Sequence, residues 1–135
     1  MLLDISQLPP LLYPLANRFY RRYQRGAKVN RQHQVWVGKE SEQIICSLCL
    51  QPVADGYWLT SLLVDPARRH RGYANALLTA IRHHYTGPIW LFCSPGLVPL
   101  YTGAGFDLAC DLPESLADRL LRYQRHKELV PLVSC

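Results

Sequence analysis

The densest chemistry in the chain lies in the segment Val64-Asp65-Pro66-Ala67-Arg68-Arg69-His70-Arg71-Gly72-Tyr73-Ala74-Asn75-Ala76-Leu77-Leu78. It sets a glycine and a small residue, two apart, where a basic loop becomes the first turn of a helix. The first N–H groups of a helix lack backbone partners and point outward, backed by about half a positive charge. That arrangement cradles phosphate oxygens. Gly72 and Ala74 leave room for a phosphate to approach the backbone, and Arg68, Arg69, His70 and Arg71 add positive field. The occupant this implies is a ligand containing pyrophosphate. No Gly-Lys-Ser/Thr follows the glycine, which excludes a P-loop, and three glycines in sequence are lacking, which excludes the dinucleotide fingerprint.

Other reactive side chains read more plainly. Cys46-x-x-Cys49 sits in a strand, where a spacing of three sends the two thiols to opposite faces, so they are structural rather than a metal or redox pair. Cys93, at the end of an apolar run, is the candidate for a reactive thiol, and His33 in a loop is a candidate substrate-side base. His83 and His84 close a helix, where cations favour the dipole. The arginines at 18, 21, 22 and 25, and Arg119, Arg122, Arg125 and Lys127 in the tail, form basic helix faces that read as solvated surface.

These residues must be positioned by elements, and the chain supplies enough for one domain spanning residues 1–135. It has 49% hydrophobic and 19% charged residues, which excludes a disordered chain. Its apolar runs are too short or proline-broken for the ~20 residues of a membrane span. Asp4 directly after Met-Leu-Leu, with Arg18, Arg21 and Arg22 closing the apolar run, does not read as a signal peptide, and five cysteines are then expected as free thiols in a reducing cytoplasm. Fifteen Lys and Arg against ten Asp and Glu, a formal net charge of +5, suit an anionic partner.

Met1 to Ser6 reads as a first strand. The spacing of Leu11, Leu12, Leu15, Phe19 and Tyr23 then predicts a helix that buries those residues and stops at Gly26. Gln34 to Lys39, Ile44 to Gln51 and Tyr57 to Val64 form an antiparallel meander feeding a central strand. Tyr73 to about Tyr85 is a helix, and Ile89 to Cys93 is a buried parallel strand. A short helix at Leu97 to Thr102, a strand at Phe106 to Ala109, a helix from Pro113 to Gln124 and an edge strand at Val130 to Val133 complete the chain. The fold class is α/β, a mixed central sheet in which an antiparallel meander precedes a β-α-β unit.

Arg69-x-x-Gly72-x-Ala74, preceded by Val64-x-Pro66, resembles the acyl-CoA signature of the GNAT superfamily of N-acyltransferases. A second family signature, Leu100-Tyr101-x-x-x-Gly105-Phe106, follows about 25 residues on, and the likeness covers Gln34 to Ala109. The resemblance implies a GNAT-like fold with acetyl-CoA as cosubstrate and no metal. It implies that backbone groups of Leu62, Leu63 and Val64 pair with the pantetheine arm. The N–H groups of Arg69, His70, Arg71, Gly72, Tyr73 and Ala74 hold the pyrophosphate. Ser94 stands where relatives often carry asparagine. By the same resemblance Tyr101 would be the general acid that protonates the departing CoA thiolate as an amine attacks the acetyl carbonyl, a role that contributes ~10²–10⁴ in rate. Ala74 replaces the commoner glycine. Tyr57 to Val64 contains no Glu or Asp, where many relatives keep the general base. The base stays open between water relayed through Thr60 or Ser61 and an amine that binds already neutral.

The expectation is a cytoplasmic N-acetyltransferase acting on a primary amine by direct transfer in a ternary complex, away from membranes, as a monomer or homodimer. Acceptor contacts fall to Gly26 to Gln34 and to Cys110 to Gln124. Two rivals stand beside it. The acid-free central strand suits a non-catalytic, regulatory acyl-CoA-binding module. The arginine-rich helices suit a toxin-like acetyltransferase acting on aminoacyl-tRNA, which makes nucleic acid a possible partner.

Overall fold

The computed structural model describes residues 3–23 and 27–135. Strand β1 (Asp4–Leu8) leads through a 3₁₀ turn (Pro10–Leu12) into α1 (Tyr13–Tyr23). Strands β2 (Gln34–Glu40), β3 (Gln43–Val53) and β4 (Gly56–Val64) form the meander, and α2 (Tyr73–His84) carries the chain to β5 (Ile89–Cys93). Then come α3 (Val98–Gly103), β6 (Asp107–Leu108), α4 (Glu114–Tyr123) and β7 (Val130–Ser134). The seven strands make one mixed sheet in the order β1-β2-β3-β4-β5-β7-β6.

One face of the sheet packs on α2, where Leu77, Leu78 and Ile81 meet Trp36, Leu48, Leu50, Leu59 and Leu91. Burying each such side chain contributes ~1.5–3 kcal/mol. The opposite face is covered twice. Helix α1 sets Ala16, Phe19 and Tyr20 against Val35, Val37 and Cys49, and α4 sets Leu116 against Trp58 and Trp90. Cys46 and Cys49 fall in different clusters on opposite faces, as their spacing requires.

Two expectations need correction. The buried stripe of α1 is Ala16, Phe19 and Tyr20, whereas Leu11 is 88% and Leu15 40% exposed. The 3₁₀ turn at Pro10–Leu12 advances three residues per turn rather than 3.6, so the leucines before Tyr13 are out of phase with the helix after it. Arg25 and Gly26, the expected end of this helix, lie outside the described residues, as do Met1 and Leu2 of the expected first strand. The second correction concerns Val130–Ser134. This strand is not at the edge: it pairs antiparallel with β5 along its whole length and with β6 on its other side. On the β6 side the pairing covers Leu132 and Val133, and the Ala109 N–H donates to the Pro131 carbonyl at 3.0 Å.

The feature that shapes the site is a parting of β4 from β5. Their parallel pairing consists of Tyr57 with Ile89 and Trp58 with Trp90. Across β3, Ser47 pairs with Leu63 but Cys49 with Thr60, so three steps on β4 oppose two on β3. The extra residue is a β-bulge, and Ser61 there has φ +60°. A bulge bends its strand and disrupts local pairing, and beyond Trp58 the edge of β4 that faces β5 has no strand partner among the described residues.

Candidate functional site

A cleft of about 580 Å³ opens where the strands part. Its walls are Leu62, Leu63 and Val64 of β4, Arg68, Arg69, His70 and Gly72 of the loop, Tyr73, Ala74 and Asn75 of α2, and Leu97, Leu100 and Tyr101. Nine of the eleven residues expected from the sequence are thus brought together. The other two lie elsewhere. Arg71 is exposed, and its charge acts on Glu40 and Tyr73. Ser94 is exposed at the end of β5, where its carbonyl accepts from the N–H of Leu97 at 2.9 Å.

The basic loop is built on its own ends. Asp65 is buried where β4 stops, and its Oδ1 accepts from the N–H of Ala67 at 2.9 Å. Pro66 opens the 3₁₀ turn that Asp65 caps. His70 and Gly72 both lie at positive φ, +65° and +82°, as the chain turns into α2. A Cβ placed on Gly72 meets nothing within 4 Å, so the space over the helix N-terminus is open. Turned backbone N–H groups of this kind form an anion-binding concavity.

Beneath the loop stands Glu40, a residue the sequence reading did not connect with it. Its Oε1 accepts from Arg68 Nε at 2.9 Å and its Oε2 from the Tyr73 hydroxyl at 2.6 Å. Arg68 Nη1 also donates to Asp65 Oδ2 at 2.8 Å. The hydrogen bonds from Tyr73 and Arg68 hold the Glu40 carboxyl below the usual carboxylate range. Glu40 is therefore a poor general base, since both oxygens are engaged and its basicity is lowered. The charge of Arg68 is matched inside the network, whereas Arg69 makes no ion pair among the described residues.

The second motif is a helix cap. Phe106 N–H donates to Tyr101 C=O at 3.0 Å and Gly105 N–H to Thr102 C=O at 3.1 Å, with Gly105 at φ +100°. This is a Schellman arrangement, in which glycine takes the left-handed position after the helix. It folds Phe106 back against Tyr101, the ring centroids 6.0 Å apart in edge contact. Tyr101 is only 7% exposed, and burial, with Cys93 nearby, pushes its phenol up to about 12. Among the described residues no buried side-chain N or O lacks a partner, and the Tyr101 hydroxyl enters none of the side-chain bonds, so it is open to the cleft.

Two other candidates are weakened. Burial raises the Cys93 thiol above its usual range, which disfavours the nucleophilic thiolate. His33 Nδ1 accepts from the N–H of Asn30 at 3.1 Å, which occupies the lone pair that a base would use.

A family model described as the acetyltransferase (GNAT) domain matches residues 31–108, more than half of the chain. The chain belongs to the GNAT acetyltransferase family. No curated protein matches it in sequence. Among solved structures it is similar to the ribosomal-protein-S18-alanine N-acetyltransferase of Escherichia coli, with a TM-score of 0.70 and 16% identity over 98% of this chain and 93% of that one. N-acetylglutamate synthase of Neisseria gonorrhoeae, complexed with coenzyme A and N-acetyl-glutamate, gives a TM-score of 0.71 and 18% identity, covering 99% of this chain and 35% of that one. A GNAT family acetyltransferase of Elizabethkingia anophelis with acetyl-CoA bound gives 0.65 and 13%, covering 98% and 97%. At these identities the likeness is one of fold.

Proposed function

We propose that the cleft binds acetyl-CoA and that the chain is an N-acetyltransferase, passing the acetyl group to a primary amine by direct attack in a ternary complex. The observation that carries this reading is the parting of β4 from β5, which leaves a strand edge unpartnered and leads to an open, positively charged helix N-terminus. A ligand with an amide-bearing arm at one end and a pyrophosphate at the other fits that combination. The solved relatives that carry coenzyme A or acetyl-CoA support it. Acetyl-CoA supplies the activated thioester. The chain's own groups do the rest. The free edge of Leu62, Leu63 and Val64 aligns the arm, and the backbone from Arg69 to Ala74, with the Arg69 charge, holds the phosphates. Tyr101, protonated at neutral pH, gives its proton to the departing thiolate. With no free acid on β4, the amine is taken up neutral or loses its proton through water at Thr60 and Ser61.

The test is thermal unfolding with and without acetyl-CoA, with ADP as control. At ~100 times its dissociation constant a ligand stabilises by ~2.7 kcal/mol, a rise on the order of 10 °C for a domain of this size. A rise with acetyl-CoA well above that with ADP, followed by amine-dependent release of CoA, establishes the reading. No rise at millimolar acetyl-CoA refutes it, and binding without release for any amine turns the chain into a binding module.

A further inference from the structure

Tyr20 reaches across the sheet's α1 face to the bulge. Its side chain is fully buried, and its hydroxyl donates to the Ser61 carbonyl at 2.8 Å. The same oxygen lies 3.0 Å from Ser47 Oγ and 3.7 Å from Cys49 Sγ. A carbonyl can only accept, so the single phenolic proton goes to Ser61, and Ser47 turns its own proton toward Tyr20. One hydroxyl thus ties α1, β3 and β4 together at the point where the ladder fails.

Neither packing nor the ladder accounts for that hydroxyl. The surrounding cluster of Leu8, Phe19, Val35, Val37 and Leu63 is apolar, and a phenylalanine ring would fill the same space. A buried hydroxyl is costly unless bonded, and so is a buried backbone carbonyl. Ser61 has no partner in the β3 register, because the bulge has displaced it. Its φ of +60° is a conformation that a non-glycine residue holds only where the surroundings impose it.

We propose that Tyr20 is a positioning residue for the cofactor cleft: its bond to the Ser61 carbonyl holds the bulge, which sets the edge of Leu62, Leu63 and Val64 apart from β5. The consequence for ligand binding rests on the acetyl-CoA reading above. The latch itself does not, so the two can fail separately.

Tyr20→Phe removes one oxygen and keeps the ring. The first readout needs no ligand. Amide hydrogen exchange at residues 60–64 is expected to rise at least tenfold, while amides of α2 and β5 stay within twofold of wild type. The second readout is a split in affinity between CoA, which has the arm, and adenosine 3′,5′-bisphosphate, which lacks it. CoA binding should weaken about tenfold and bisphosphate binding should hold within twofold. Ser47→Ala, a milder change, should move both readouts in the same direction by less, and it decides the matter if Tyr20→Phe does not fold. Unchanged exchange at 60–64, or exchange rising equally throughout, overturns the latch. A local rise with CoA and bisphosphate weakened equally overturns its role in the cleft. Wild-type protein that binds neither ligand refutes the acetyl-CoA reading, and the exchange pattern still decides the latch.

Discussion

A phenol held near a pKa of 12 keeps its proton across the working range of an amine acetylation. Turnover should therefore climb with pH as the acceptor deprotonates, with no alkaline loss assignable to Tyr101 below about pH 11. Tyr101→Phe should lower kcat by ~10²-fold with acetyl-CoA affinity unchanged, as stopped assays and calorimetry would show. An equal fall in affinity would make Tyr101 a packing residue. Glu40 behaves oppositely. Its carboxyl is depressed in the folded state, so its contribution is complete above the ordinary carboxylate range and is lost as pH falls through the lower, folded value. The Tm of wild type should drop more steeply than that of Glu40→Gln between about pH 6 and pH 3. Parallel curves would show that the Glu40 network does not steady the loop. Gly72→Ala tests the cradle. Its strain at φ +82° costs ~1–2 kcal/mol, and its methyl enters the open space over the helix. Acetyl-CoA affinity should fall at least tenfold, while the unliganded Tm drops by only a few degrees.

At the scale of elements, the two motifs recognised in the sequence are both chain reversals at helix ends. Gly72 starts α2 and Gly105 ends α3, each at positive φ. Around Gly105 the reversal is also locked by Arg82, which donates to Ala104 C=O at 2.9 Å and to Ser134 Oγ at 2.6 Å. A Cβ at Gly105 would lie 2.2 Å from Arg82 Nη1. Gly105→Ala should therefore lose ~1–2 kcal/mol to the backbone and ~0.5–1.5 kcal/mol for each displaced bond. The expected Tm drop is on the order of 10 °C, with a loss of near-ultraviolet signal from Tyr101. A drop of a degree or two would mean that Arg82 swings clear. The motifs were legible as residue patterns, whereas the left-handed backbone at each glycine is seen only in the structure. The exposure of Leu11 was not legible, because a 3₁₀ turn before the helix shifts the phase that a fixed 3.6-residue period assumes.

Across the whole molecule, β7 joins β5 to β6 within the sheet. Leu132 is fully buried, and β7 supplies the partner on one side of β5 and, among the described residues, the one strand partner of β6. Deleting residues 129–135 would expose both, and the shortened chain should lose its cooperative thermal transition. A sharp transition retained in its absence would show that the first five strands fold independently. By itself the sequence determined what depends on near neighbours: the α/β class, the meander, the strand–loop–helix phosphate motif, the short helix that carries Tyr101, and the opposite facing of Cys46 and Cys49. Period, capping chemistry and glycine placement act over a few residues, so they can be read along the chain. Only the tertiary structure decided the insertion of Val130–Ser134 between β5 and β6, the seating of Glu40 under a loop 28 residues away, and the bond from Tyr20 to a bulge 41 residues on. Such pairings between distant segments are selected by the packing of the whole sheet, and no local pattern marks which partner each will find.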